Sequence, residues 1–135
     1  MATVYIDAAT KQNPYFSVGA AVIKNDSETF EETYILGNID NNEAEWATLL
    51  KTTERLVEFG ITHAIIYTDS KIIVDTFGLK KLKNVNKLLL DNLDIKILEE
   101  YDENLYEDYY LKIRLIEIIK ELKKGLENEE KNISC

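Results

Sequence analysis

The sequence has one cysteine, one histidine, one proline and five glycines in 135 residues. The lone cysteine, Cys135, has no partner in the chain for a disulfide. Its solitude argues against a thiol nucleophile or a zinc site and suits a reducing compartment, so a cytoplasmic setting is the expectation. No apolar run approaches the roughly 18 residues of a membrane helix, and no membrane partner is expected. The opening stretch M-A-T-V-Y-I-D lacks a basic region followed by an apolar one, so no export signal is expected. Repeats, low-complexity tracts and linker-like stretches are also missing. What is left is the length and composition of one globular domain with a real core.

Positive charge is in short supply. Sixteen Lys and Arg stand against 25 Asp and Glu, for a net charge of −9. That balance opposes non-specific binding to nucleic acid, which relies on cationic side chains neutralising phosphates. The charge is segregated, however. Lys71, Lys80, Lys81, Lys83 and Lys87 cluster with only Asp75 among them, while the segment from Glu99 onward is acidic. The lysine run reads equally as a solvated helix face or as a local binding patch.

Hydrophobic patterning predicts the order β-β-β-α-β-α-α-β-α. Residues 3–6 are β-prone and end at Asp7. Residues 8–17 hold Asn13-Pro14 and read as a turn. Gly19–Lys24 and Thr29–Gly37 read as strands joined at Asn25-Asp26-Ser27. Residues 41–59 form a helix with Trp46, Leu49, Leu50, Thr53, Leu56 and Val57 at helical spacing, stopped at Gly60. Ala64–Thr68 is a continuous apolar run, as a central strand buried on both faces would be. A short helix over 70–77, a basic helix over 80–92 and a strand over 94–98 follow. The last helix spans 104–126, with Ile113, Ile116, Ile119 and Leu122 as its apolar stripe, and residues 127–135 form a polar tail beyond the domain of residues 1–126. Three strands in succession suggest an antiparallel meander, and the later strands arrive through helical crossovers that favour parallel pairing. The expectation is an α/β fold with a five-stranded mixed sheet flanked by helices.

Three acids stand out against that frame: Asp7, Glu45 and Asp69. Asp7 follows an apolar run, where a turn-initiating role would also account for it. Asp69 follows the run Ala64–Thr68, where it could simply cap the next helix. Glu45 could close a capping box with Asn42, but Asp40-x-x-Glu43 fits the same pattern and would release it. Glu45 would then share a helix face with Asn41 and Asn42. Carboxylates converging on one sheet edge repel each other unless a cation sits among them. A hard divalent ion with oxygen ligands is the economical occupant, and two such ions can assist phosphodiester hydrolysis.

The motifs around these acids resemble the ribonuclease HI family, with its RNase H-like fold, over most of the chain from Tyr5 to about Lys112. Asp7 precedes Asn13-Pro14 by the family's interval, Asn41-Asn42-Glu43-Ala44-Glu45 matches its N-N-x-x-E helix start, and Asp69-Ser70 matches its strand-end D-S. Asn104-Leu105-Tyr106-Glu107-Asp108 matches its N-x-x-x-D. The resemblance implies a nuclease that cuts the RNA strand of RNA–DNA hybrids with two Mg²⁺ or Mn²⁺ ions. It implies Asp7, Glu45, Asp69 and Asp108 as catalytic metal ligands, and Asn13, Asn41, Asn42 and Ser70 as substrate contacts. Four features depart from the family pattern. The glycine-rich first turn is reduced to K-Q-N-P-Y-F-S-V-G, and Tyr109-Tyr110 follow Asp108 where the family has a small or aliphatic helix start. Ala8 replaces a glycine, and the sole histidine, His63, sits before the apolar run rather than in a loop near the last acid, so it reads as structural or exposed. The aromatic residues Trp46, Tyr5, Phe30, Tyr34 and Tyr67 read as core. The alternative reading is a weakly active or inactive module of the same fold that binds nucleic acid or protein.

Overall fold

The computed structural model describes residues 1–75, 93–99 and 109–133, apart from the side chains at 109 and 127–133. Three strands open it: β1 (Ala2–Lys11), β2 (Phe16–Asn25) and β3 (Glu28–Gly37). Helix α1 (Asn41–Glu58), strand β4 (His63–Thr68), the short helix α2 (Lys71–Val74), strand β5 (Asp94–Glu99) and helix α3 (Tyr109–Ile133) follow. The sheet order is β3-β2-β1-β4-β5. β1 to β3 form the antiparallel meander expected, and β4 and β5 join in parallel. The five-stranded mixed sheet therefore stands as predicted.

Alternation along the strands sorts two cores, one on each side of the sheet. Val4, Ile6, Ala21, Ile23 and Ile66 pack with Leu49 and Leu56 of α1. Their neighbours Tyr5, Ala20, Val22 and Tyr67 face the other way and pack with Leu111, Leu115, Ile118 and Ile119 of α3. Side chains that alternate every residue let one strand serve both layers, and a sheet covered on both faces reads as nearly continuous apolar sequence. Among the described residues, no helix is long and apolar enough to cross a membrane.

Several expectations need correcting. β1 does not end at Asp7 but runs on to Lys11, and its partner strand starts at Phe16, not Gly19. The pairing from Ala8↔Gly19 to Lys11↔Phe16 satisfies backbone groups that a 10-residue turn would have left to water, and the turn shrinks to residues 12–15 around a cis Asn13-Pro14 bond. β4 is interior, but the middle of the sheet belongs to β1. On α3, Ile113 and Ile116 are exposed, while Leu111, Leu115, Ile118, Ile119 and Leu126 are buried. The sequence carries two stripes, and the one at 111, 115, 118, 119, 122 and 126 wins because it stays apolar for four turns, whereas the other runs into Lys120 and Lys123. Val57 of α1 is exposed rather than core. α3 also continues to Ile133, through the segment read as a polar tail. The helix expected over 70–77 is shorter: it ends at Val74, and Asp75 is already extended. Residues 76–77, the basic helix over 80–92 and the segment 104–108 lie outside the described residues.

α1 begins as the competing caps suggested. The Asp40 carboxylate accepts the Glu43 backbone N–H at 2.9 Å. Gly60, with φ +72°, lies just past the helix end, a left-handed position where glycine carries no Cβ penalty. Because Asp40 takes the capping role, Glu45 is free for another.

Candidate active site

Pairing between β1 and β4 ends at Tyr5↔Tyr67. β1 stays bonded to β2 as far as Lys11, and β4 stays bonded to β5 as far as Thr68↔Glu99. The two strands therefore part just beyond Tyr5 and Tyr67. Asp7 and Asp69 each lie two residues past that last pair. The crevice at the carboxyl ends of parallel strands is where open α/β sheets bind ligands.

Glu45 reaches the crevice from the first turns of α1. A shallow pocket of about 160 Å³, part of it open solvent, is lined by Ile6, Asp7, Glu45, Thr48, Thr68 and Asp69. Three of the four acids singled out in the sequence thus share one pocket. Asp69 is exposed, while Asp7 and Glu45 are partly buried.

The electrostatics follow from that burial. The Asp7 carboxyl is pushed up to about 6, mainly by burial and then by the negative charges of Asp69 and Glu45. Two groups pull the other way: the Ala8 backbone N–H, which donates to Asp7 Oδ1 at 2.8 Å, and the Lys123 ammonium of α3. The Glu45 carboxyl is also raised, first by burial and then by Asp69. Hydrogen bonds from Ser70 and Asn41 partly offset this. The Asn41 amide donates to Glu45 Oε1 at 3.4 Å and accepts from Thr10 Oγ1 at 3.3 Å.

The other predicted residues separate into groups. Asn41 and Ser70 touch Glu45, and Ser70 is buried at the start of α2. Asn42 is exposed on the first turn of α1 and does not line the pocket. Asn13 is exposed in the β1–β2 turn with φ +62° and does not line it either. Asp108 lies outside the described residues. His63 sits at the opposite end of β4, exposed, with Nδ1 3.4 Å from Asp94 Oδ2. Trp46, Phe30 and Tyr34 pack against the α1-side core, and Tyr5 and Tyr67 stack within the α3-side core.

Three polar residues at the pocket escaped the sequence reading. Thr48 and Thr68 line it, and Thr10 bonds to Asn41. Thr48 had a signal, since it lies three residues after Glu45 on the same helix face. Thr10 had none, because the strand carrying it was read as a turn.

The donor set suits a hard divalent cation in kind. It is all oxygen, carries like charges that repel, and includes no thiol or imidazole. Among the described residues, no three His, Cys, Asp or Glu side chains are drawn together into a ligand shell.

Comparison with known structures decides the fold. The chain superposes on RNase H1 from Halobacterium salinarum NRC-1 with a TM-score of 0.60 at 22% identity, over 73% of this chain and 83% of that one. The N-terminal RNase H domain of a Mycobacterium tuberculosis protein gives 0.63 at 24% identity, over 84% of this chain and 94% of that one. The fold is RNase H-like. LC11-RNase H1, solved in complex with an RNA/DNA hybrid, gives 0.58 at 21% identity, over 74% of this chain and 86% of that one. In sequence, 86 residues are 34% identical to the Enterococcus faecalis (strain ATCC 700802 / V583) protein named "Putative hydrolase EbsB". That match covers 62% of this chain and 64% of that relative's length. No family model matches.

Within the RNase H-like fold the departure at Ala8 is easily accommodated. Ala8 serves Asp7 through its backbone N–H, which any residue but proline supplies. The close approach that needs glycine occurs opposite it, at Gly19, where a Cβ would lie 2.0 Å from Thr48 Oγ1. Gly19 lets α1 settle against β2, and α1 carries Glu45 to the pocket.

Proposed function

We propose that this chain is a metal-dependent endoribonuclease that hydrolyses the RNA strand of RNA–DNA hybrids. The observation that carries the reading is the crevice itself: Asp7 and Asp69 at matching positions beyond the last β1–β4 pair, faced by Glu45 from α1. The RNase H-like fold supports it, as does the hybrid bound to the neighbour LC11-RNase H1.

On this reading Asp7, Glu45 and Asp69 hold Mg²⁺ or Mn²⁺, with Asp108 as a fourth ligand. Two such ions supply activation of water and stabilisation of the leaving oxygen of a phosphodiester. Asp7 contributes a carboxylate whose negative charge is costly until a cation neutralises it. Glu45 is turned toward Asn41 and Ser70 and gives up part of that network to serve as a ligand. Asn41 and Asn42, at the exposed start of α1, are suited to sugar edges, and the 2′-OH is the group that distinguishes an RNA strand. Asn13 and Ser70 complete the proposed substrate contacts. With a net charge of −9, the chain gains its attraction for a polyanion from the bound cations and from local lysines.

The test is Asp69→Asn. Asp69 is exposed and no part of the core, so the variant is expected to fold normally by circular dichroism and to lose Mg²⁺-dependent cleavage of a labelled hybrid. Full activity in that variant would refute the assignment. A second reading, a binding module of the same fold without catalysis, is favoured by one observation: no three acidic side chains among the described residues are gathered into a ligand shell. Hybrid binding in Ca²⁺ without cleavage in Mg²⁺ or Mn²⁺ would select it.

A further inference from the structure

Beside the pocket lies a chain of hydroxyl and amide groups that the acids themselves do not explain. Thr10 and Ser17 face each other across β1 and β2, with their hydroxyl oxygens 2.7 Å apart. Ser17 is fully buried and donates to the Ile39 carbonyl, also at 2.7 Å, in the connection leading into α1. A hydroxyl has one proton to give. Ser17 gives its proton to Ile39, so the Thr10–Ser17 bond is made with the Thr10 proton. The 3.3 Å contact from Thr10 to Asn41 Oδ1 is then the longer branch of a shared bond. The Asn41 amide, facing Thr10 with its oxygen, turns its NH₂ toward Glu45 Oε1 at 3.4 Å. Ser70 also hydrogen-bonds Glu45.

We propose that Thr10 and Ser17 are positioning residues for the active site. Their hydroxyl pair ties the sheet to the start of α1 through Ile39 and sets the direction of the Asn41 amide. The NH₂ group of that amide then holds the Glu45 carboxylate over the pocket. The pair also sits where β2 changes register against β3, between Ser17 and Val18, so its bonds fix the strand at its least regular point. The inference rests on the hydrolytic reading above for its effect on cleavage, but its structural content does not.

The experiment uses Thr10→Val, which keeps the β-branched shape and deletes the hydroxyl, alongside Thr10→Ser and Ser17→Ala. In the metal-free protein, the side-chain NH₂ resonances of Asn41 are expected to shift and to exchange faster with water in Thr10→Val. Thr10→Ser should restore them. Ser17→Ala should move the same resonances although Ser17 does not touch Asn41. With Mg²⁺ and a labelled hybrid, Thr10→Val should lower kcat about fivefold, the loss of one modest hydrogen bond. KM should change less than twofold, and Thr10→Ser should recover kcat. The double variant Thr10→Val/Ser17→Ala should lose less than the sum of the two single losses, because the singles share the Thr10–Ser17 bond. Unmoved Asn41 resonances in both single variants would overturn the proposal, as would additive losses in the double variant. A wild-type protein that cleaves no hybrid would defeat the hydrolytic reading, and the metal-free resonances would still decide the positioning role. Should Thr10→Val fail to fold, Thr10→Ala and Ser17→Ala carry the same decision.

Discussion

Replacing Asp7 with asparagine should make the metal-free protein more stable at neutral pH. The Asp7 carboxyl is raised from 3.8 to about 6, first by burial and then by Asp69 and Glu45. A carboxyl raised on folding contributes its full stability below its unfolded value and loses it as pH rises through its folded value. For Asp7 that window runs from about pH 4 to about pH 6. At about 1.4 kcal/mol per pH unit the upper bound is about 3 kcal/mol, and relaxation around the exposed Asp69 brings the expected figure to about 2 kcal/mol. Asparagine keeps an oxygen for the Ala8 N–H, so the 2.8 Å bond survives while the charge goes. Urea unfolding in EDTA at pH 4 and pH 8 measures the effect. The two proteins should be nearly equal at pH 4. At pH 8 the variant's midpoint should lie about 1 M higher, given an m-value of about 2 kcal/mol/M for a chain of this size. Titration of the Arg114-paired Glu31, whose carboxyl is held low, runs in the opposite direction but is common to both proteins and cancels in the difference. Adding Mg²⁺ should then stabilise only the wild type, by about 2.7 kcal/mol when the ion is at a hundred times its dissociation constant. Equal midpoints at pH 8 without metal would refute the argument that burial and like charge strain this site.

Two predictions concern how α1 is held. Gly19→Ala should destabilise by about 1–3 kcal/mol, as overpacking does, because its Cβ meets Thr48 Oγ1 at 2.0 Å and Thr48 Cβ at 3.0 Å; adding Thr48→Ala should recover part of the loss in the same thermal melt. Asp40→Ala should cost about 1 kcal/mol by removing the cap on Glu43, and a chemical melt with an unchanged midpoint would show that the cap carries no stability.

Much of the fold was legible because apolar periodicity is a local property. The α1 span, its Asp40 cap and the β4 and β5 runs follow from spacing and from which residue can satisfy a helix terminus. Asp7 and Asp69 were legible because each follows an apolar run, and Glu45 because the Asp40–Glu43 pair releases it from capping at the start of α1. What local pattern could not yield was the choice between two readings of equal local quality. Over two turns Ile113 and Ile116 fit a helical stripe as well as Leu115 and Ile118 do, and the two part only over four turns, where the first meets Lys120 and Lys123 and the second stays apolar to Leu126. The segment Ala8–Lys11 was read as a turn because Asn13-Pro14 lies just after it. Proline ends pairing only near its own position, and Thr10 and Ser17 still found each other across the strands. Thr10 was lost to the reading for that reason alone.

The length of the β1–β2 hairpin is therefore a functional matter. β4 keeps its pairing with β5 to Thr68↔Glu99, so it does not bend away from its neighbour. β1 keeps its pairing with β2 to Lys11↔Phe16 and loses β4 after Tyr5↔Tyr67. A strand that holds one partner for six residues after losing the other leaves a cleft on the side it abandons. Sheet twist rotates adjacent strands by about 20–25°, which widens such a cleft with distance. Had the hairpin closed at Asp7, as its acid and the nearby proline suggested, no backbone would have carried Thr10 to Asn41, and Asp7 would have sat in a loop free to turn toward water. Its raised carboxyl would then have relaxed. The strain at Asp7 comes from continuing the strand past it, and that continuation also builds the hydroxyl pair that steadies Glu45.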